Sequence, residues 1–263
     1  MTEKSGFVLE GIDYAYGPTQ ALQNLDLSMA GGKFYGIVGP NGCGKSTLLD
    51  ILTGCKLPAQ GTVSFAGRSV SSYRRRDLSR QVALVPQDFA IGFAFTVQEV
   101  VLMGRNPYMQ RFAAPTADDM RIVDEAMAAI GIDHFRDRFV NELSGGEKQR
   151  VVVARALAQR THFLLFDEAT SNLDVQHTLQ IMNVARDLVR KQEKTVIAVI
   201  HNLNLAAAFC DEIIFMKKGR IVKKGPTGEI LEPGIIKNVF GVECKVQKDL
   251  FNDIHQISFR YWS

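Results

Sequence analysis

Nine consecutive residues, Gly39-Pro40-Asn41-Gly42-Cys43-Gly44-Lys45-Ser46-Thr47, fit the pattern G-x-x-x-x-G-K-[ST]. Glycines at these spacings let the main chain curl until successive N–H groups point at one anion. A helix starting there adds its positive end to the field. Lys45 has the reach for β- and γ-phosphates, Ser46 carries a hydroxyl suited to Mg2+, and Thr47 is next in line for a phosphate oxygen. A ligand-free glycine turn is the plainer alternative. A strand-like run before the loop and a helix-like run after it favour a nucleotide, leaving kinase, GTPase and ATPase chemistry open.

Two further segments could act on the same ligand. The apolar run of residues 162–166 ends in Asp167 and Glu168. In open α/β sheets ligands sit beyond the carboxyl ends of the strands. Asp167 there suits a metal held through water, and Glu168 suits polarisation of an attacking water. The second segment, Leu143-Ser144-Gly145-Gly146-Glu147-Lys148-Gln149-Arg150, precedes an apolar helix. Ser144 and Glu147 fit a capping box, S-x-x-E. Capping leaves Gly145 and Gly146 unexplained, since each costs a helix about 1 kcal/mol relative to Ala. Bare backbone suits an anion that must come very close. Two anion-binding helix starts with one phosphate loop suggest that the second start completes a nucleotide site on another copy.

The elements that must position these groups follow from periodicity. Strands are predicted at Phe7–Ile12, Leu25–Met29, Lys33–Val38, Thr62–Phe65, Val82–Val85, Phe163–Phe166, Thr195–Ile200, Ile213–Met216 and Arg220–Val222. Helices are predicted at Lys45–Leu52, Val175–Lys191 and Leu203–Cys210, with a helical block from Thr96 to Gln159 in which Gly131 stops one helix. The last stretch, residues 225–263, reads as a short helix at Ile235–Phe240 and two strands. Strands alternating with helices imply an α/β fold with a largely parallel central sheet.

Composition agrees with a globular chain. It has 263 residues, 46% hydrophobic and 22% charged, and 31 basic against 28 acidic side chains leave a net charge of +3. That balance argues against a polybasic nucleic-acid binder. The four cysteines contain no C-x-x-C pair, so reduced thiols are expected. No apolar run approaches the roughly 18–20 residues that span a bilayer. The polar start, Met1 to Ser5, lacks a signal-peptide core, so the protein is expected to stay where it is made.

Taken together, these motifs resemble the nucleotide-binding subunits of ATP-binding-cassette (ABC) transporters over nearly the whole chain. Gly39–Thr47 is similar to their Walker A motif, Leu143–Arg150 to their signature and Phe163–Glu168 to their Walker B. The resemblance implies one ABC ATPase domain over residues 1–263. It would have a P-loop NTPase core with a mostly parallel sheet, an N-terminal antiparallel β subdomain and an inserted α-helical subdomain. The core would hold approximately 1–87 and 161–263, and 88–160 would form the helical subdomain. It further implies a head-to-tail dimer that sandwiches two ATP, each between the Walker A of one copy and Ser144, Gly145, Gly146 and Glu147 of the other.

The resemblance also assigns roles to single residues. Gln87 sits at the Q-loop glutamine, implying contact with Mg2+ and water and a sensor of a transmembrane partner. Residues 171–174 match the D-loop, where Asp174 would bridge the copies or cap the following helix. His201 matches the switch histidine that contacts the γ-phosphate. Tyr16, or Tyr14 as the alternative, matches the aromatic that stacks on adenine. Three positions depart from the family's habit: Ala169 for Pro, which would loosen Glu168, Asn202 for Asp, and Glu147 for Gln. None removes a group named above. Cys43 inside the loop suggests that a thiol reagent inactivates the protein and that ATP protects it.

Phe89, Ile91, Phe93 and Phe95 alternate with small residues after Gln87, as an apolar partner surface or as core. Near here the resemblance implies docking of a transmembrane permease subunit. Arg74–Arg76 is read as a solvated helix face rather than a lipid contact. Residues 97–100, 104–108 and 239–242 look like those of importers of iron–siderophore, haem and cobalamin chelates, which also use a substrate-binding protein. The expected place is the cytoplasmic side of the inner membrane, as a peripheral subunit, with no nucleic acid bound. The competing reading is a soluble ABC mechano-ATPase acting on nucleic acid or ribosomes. That reading predicts a long coiled-coil insertion or tandem cassettes, and the chain has neither. A P-loop kinase or GTPase leaves Leu143–Arg150 and His201 unexplained.

Overall fold

The computed structural model describes residues 6–87, 89, 93–111, 113–171 and 173–260. In chain order, β1 (Phe7–Tyr16) and β2 (Thr19–Met29) form a hairpin, and β3 (Phe34–Val38) leads through the glycine loop into α1 (Lys45–Leu52). Then come β4 (Gln60–Phe65), β5 (Arg68–Ser69), α2 (Arg75–Leu78), β6 (Val82–Val85), α3 (Val97–Leu102), α4 (Ala117–Ile130), α5 (Gly145–Ala158), β7 (Phe163–Asp167) and α6 (Val175–Gln192). The chain closes with β8 (Thr195–Val199), α7 (Leu203–Phe209), β9 (Glu212–Lys217), β10 (Arg220–Pro226), α8 (Thr227–Ile230), α9 (Pro233–Phe240), β11 (Cys244–Lys248) and β12 (His255–Phe259). It divides into two compact units, residues 1–73 with 195–263, and residues 74–194.

In the first unit β3 lies between β8 and β9, parallel to both, with Ile37 opposite Val199 and Ile214. All five residues of β3 and all five of β8 are buried. Burial on both faces is why these strands read as unbroken apolar runs rather than as alternation. β10 returns antiparallel to β9 through the turn Lys218-Gly219, where both residues have positive φ, 47° and 76°. Two such residues give the primed turn whose twist matches the flanking strands. An antiparallel sheet, in the order β2-β1-β4-β5, completes the N-terminal part. β2 starts six residues before the predicted Leu25, at Thr19. Its first half, Thr19 to Gln23, holds a single β-branched residue and is a strand because β1 pairs with it, Ala15 opposite Gln20.

In the second unit β6 and β7 pair in parallel, Val85 opposite Phe166, and α3, α4 and α5 pack on one another. Each of these three helices opens on a capping box: Thr96 with Glu99, Thr116 with Asp119 and Ser144 with Glu147. Gly131 ends α4 at φ 67°, as the sequence predicts. The Arg74–Arg76 run is exposed throughout, as a solvated face should be. Arg76 donates from Nε to the Pro107 carbonyl (2.9 Å) and from a second nitrogen to that of Met109, tying α2 to the segment after α3.

A buried ion pair holds the helical block. Arg105 Nε lies 2.9 Å from Asp119 Oδ1, and Arg105 also donates to the Ala158 carbonyl at 2.9 Å. Bonding from the Thr116 hydroxyl first, and then from Arg105, holds the Asp119 carboxyl below its ordinary range against the opposing effect of burial. A folded-state value below the unfolded value of about 3.9 means the stabilisation is complete above that pH and lost as pH falls through the folded value. Asp119→Asn is expected to lower the unfolding free energy at pH 7, measured by urea titration, by about 3 kcal/mol, because it strands the buried guanidinium. The gap to wild type should narrow below about pH 4. A gap that stays constant from neutral to acid pH refutes the coupling.

Candidate functional site: two helix starts

The glycine loop is held by its neighbours before any ligand is considered. Gly44 has φ 102°, a left-handed conformation, and a Cβ there would stand 2.4 Å from the Ala21 carbonyl oxygen. Glycine is therefore required twice over, by torsion and by space. At Gly39 a Cβ would meet the Met216 oxygen at 2.2 Å. The Gly219 N–H donates to the Cys43 carbonyl (3.0 Å) and the Gly219 carbonyl accepts from the Gln23 N–H (2.9 Å). The β9–β10 turn thus clamps the loop to β2. Sequence reasoning missed Gly219; its signal was Lys-Gly between two strand-like runs.

Lys45 is 5% exposed, and its ammonium donates to the loop's own carbonyls at Gly39 (2.9 Å) and Pro40 (3.0 Å). Asn41 and Gly42 at the crest are exposed, and Ser46 is half-buried at the start of α1. Thr47 is buried, and its Oγ1 lies 3.3 Å from the Tyr16 hydroxyl. Tyr16 is 47% exposed. The Lys56 ammonium lies 5.0 Å from its ring centre and Tyr14 meets it edge-on at 5.1 Å. The structure brings Tyr16, rather than Tyr14, to the helix that follows the loop. His201 is exposed just beyond β8, where the Ile200 N–H donates to the Ile37 carbonyl (3.1 Å). Extending the parallel register sets His201 level with Gly39, at the carboxyl end of the strands.

Cys43 corrects an expectation. Its side chain is 3% exposed, and burial pushes its thiol pKa up, with the Lys45 charge opposing that only in part. A buried thiol held protonated is a poor nucleophile, so rapid modification of the loop by a thiol reagent is not expected.

In the second unit β7 ends on Asp167, 9% exposed, and Glu168 follows at φ 53°. Left-handed backbone is costly for a residue with a Cβ, of the order of 1–2 kcal/mol, and is met where surrounding bonds impose it. Here the Glu168 carbonyl accepts from the Ser171 N–H and from its hydroxyl, both at 3.0 Å, and Gln87 donates to the Glu168 carboxylate at 3.0 Å. Glu168 is pinned rather than loosened by Ala169, which is 2% exposed. A proline at 169 would crowd α-like torsions of the residue before it; alanine leaves Glu168 the conformation it has.

The other helix start is built as the sequence predicts. The Glu147 N–H donates to Ser144 Oγ (3.3 Å), and the Ser144 N–H donates to the Glu147 carboxylate (2.7 Å). That bond holds the Glu147 carboxyl below its ordinary range. A Cβ on Gly145 would meet nothing within 4 Å. Packing within the chain therefore does not demand glycine there. Asp174 caps α6, accepting the His177 N–H at 2.8 Å, while His177 Nδ1 lies 2.9 Å from both its oxygens. Its neighbour Asn172 lies outside the described residues, as do Ala90, Ile91 and Gly92 of the aromatic stretch. Asn202 caps α7 by accepting from the Asn204 and Leu205 N–H groups (2.9 and 3.3 Å). Asn serves at an N-cap as well as Asp, so that departure costs the helix nothing.

A buried parallel strand that feeds a glycine loop and a helix, with a lysine folded across the loop, defines a P-loop nucleotide-binding protein. The family description "ABC transporter" matches residues 22–171. The cobalamin import ATP-binding protein BtuD of Halobacterium salinarum is 43% identical over 239 residues, 91% of this chain and 60% of that protein. The chain thus spans about three-fifths of that relative's length. The ferric enterobactin transport ATP-binding protein FepC of Escherichia coli is 36% identical over 240 residues, 91% of this chain and 89% of FepC. A transporter assigned to the metal-chelate ABC type, in an inward-facing conformation, superposes with a TM-score of 0.84 at 29% identity, covering 98% of both chains. The ADP- and phosphate-bound dimer of the ATP-binding cassette MJ0796 gives 0.75 at 29% identity, covering 84% of this chain and 98% of the cassette. The chain belongs to the ABC transporter family, and its fold is that of the ABC ATPases.

The burial of the thiols gives a prediction. Cys55 is exposed, Cys244 is half-buried, and Cys43 and Cys210 are buried. An aromatic disulfide reagent at neutral pH is expected to titrate Cys55 first, with Cys43 and Cys210 reacting only in denaturant. Peptide mapping that finds Cys43 labelled as fast as Cys55 refutes this account of the loop.

Proposed function

We propose that the chain is the ATP-hydrolysing subunit of a membrane ABC importer for iron–siderophore, haem or cobalamin-type chelates. It works as a head-to-tail pair of copies on the cytoplasmic side of the cell membrane, bound to transmembrane permease subunits and served indirectly by a substrate-binding protein. The observation that carries this reading is the start of α5. The capping box needs Ser144 and Glu147, nothing in the chain needs Gly145 to be glycine, and a ligand brought by a second copy would. The importer class is supported by relatives named for cobalamin, ferric enterobactin and hemin transport. No helix among the described residues is long and apolar enough to cross a membrane, which suits a subunit that depends on a permease. Phe93 is 76% and Phe139 41% exposed, and Phe93 and Phe95 meet edge to face at 6.4 Å; these rings are the proposed permease contact.

In this reading Gly39 to Thr47 cradle the phosphates, Lys45 exchanges its two loop carbonyls for β- and γ-oxygens, and Tyr16 stacks on adenine. Ser144, Gly145, Gly146 and Glu147 close on the γ-phosphate held by the other copy, with Asp174 beside them. The donor set fits Mg2+. Among the described residues there is no cluster of three or more His, Cys, Asp or Glu that could hold a metal unaided. Mg2+ is commonly bound by one or two protein oxygens plus substrate phosphates and water. The resemblance assigns Ser46 to it, and likewise Asp167 and Gln87, and when bound it would spread the charge on the phosphates. Glu168 orients and takes the proton of the attacking water, and His201 steadies the γ-phosphate.

Two variants test this reading. Glu168→Gln is expected to cut ATP turnover by about 10²-fold or more and to trap an ATP-loaded pair of copies on size exclusion. Undiminished turnover rejects the assigned base. Gly145→Ala is expected to keep or slightly raise the urea midpoint, since alanine favours a helix by up to about 1 kcal/mol, while ATP turnover collapses. Normal turnover in this variant removes the case for a ligand at α5.

A further inference from the structure

In the second unit α4, α5 and α6 border a groove of about 510 Å³. Its aliphatic wall is Ile122 and Ala126 from α4, Leu157 from α5, and Val184 and Leu188 from α6. That volume lies within the roughly 300–1,000 Å³ usual for small-molecule sites. Four charged residues also line it: Glu125, Asp187, Arg160 and Lys194.

Of these four, Lys194 alone has no opposite charge on it among the described residues. Glu125 is bound by both Arg121 and Arg160, and Asp187 by Lys191 at 2.8 Å. Among the described residues no carboxylate pairs with the Lys194 ammonium. Burial depresses its pKa, and the neighbouring Arg160 cation depresses it further. Its place is built into the fold: Glu193 ends α6 at φ 53°, and the Lys194 N–H donates to the Leu188 carbonyl at 3.1 Å. A partly desolvated ammonium beside a guanidinium whose own partner is Glu125 is costly unless a further anion compensates it.

We propose that this groove is a binding site for a small amphiphilic carboxylate. The carboxylate is held by Lys194 and Arg160 and the hydrocarbon body by the aliphatic wall. Neither charge nor apolar surface alone selects this class; their combination in one groove does. An occupant touching both α4 and α6 braces one helix against the other, within a unit that also carries the signature segment.

Calorimetric titration of the full chain with octanoate tests the proposal. One saturable site is expected. Lys194→Met should weaken it by roughly tenfold, about 1.4 kcal/mol, and Lys194→Arg should retain it. Val184→Trp, which fills the groove while leaving the lysine in place, should abolish binding. Acetate has the charge without the chain and octylamine the chain without the charge, so both should compete poorly. The proposal is overturned if octanoate does not saturate at millimolar concentration, if it binds wild type and the Met and Trp variants alike, or if acetate competes as well as octanoate.

Discussion

The gathering of main-chain N–H groups at helix starts is the constraint on which the phosphate loop and the start of α5 depend. Such groups are strong donors that a folded chain must otherwise satisfy internally. Here they gather where a helix begins, because the first four N–H groups of a helix have no partner within it. At the phosphate loop the left-handed Gly44 starts α1, and no acidic residue lies in that helix's first turn to neutralise it. Lys45 spans the loop from inside, bonded to two of its carbonyls, so the positive charge is stored within the cradle. A curl this tight survives only because other segments hold it. The β9–β10 turn bonds to the loop on one side and to β2 on the other, and Gly39 and Gly44 sit against carbonyl oxygens that leave no room for a side chain.

The start of α5 reaches a similar end by a different balance. Its capping box satisfies two N–H groups reciprocally and places a carboxylate at the positive helix end. Taken alone this would make a quiet, stable helix terminus. The two glycines cut against it, lowering helix propensity where local design would place alanine. At Gly145, where an added Cβ would meet nothing within 4 Å, packing within the chain gives no reason for that loss.

Side-chain chemistry is controlled by the same backbone decisions. Glu168 occupies an unfavourable torsion one residue past a buried strand, and bonds from Ser171 and Gln87 hold it there. Because β6 and β7 are parallel and in register, Gln87 and Glu168 fall level with each other beyond the strand ends. The bond between them links the segment toward the exposed aromatics with the proposed base. Cys43 shows the converse: a reactive type of residue rendered inert because the loop's curl turns its thiol inward, against Gly39.

Much of this was determined by the sequence alone. Periodicity located the helices and strands around the site, and residue type at fixed spacing located the phosphate loop, the capped start at Ser144 and the acidic strand end. These are local properties, written in neighbouring residues and in backbone torsions that only glycine or a capping side chain supplies. What depends on partners far along the chain was decided only by tertiary structure. The first half of β2 is a strand because β1 pairs with it. Gly219 matters because a distant turn lands on the phosphate loop. Arg76 is tied down by carbonyls some thirty residues on. Tyr16 is distinguished from Tyr14 by the hydroxyl that each can reach. Burial and neighbouring charge, which shift the pKa of Cys43 upward and that of Lys194 downward, belong to no single segment, because both are sums over whatever the fold brings near.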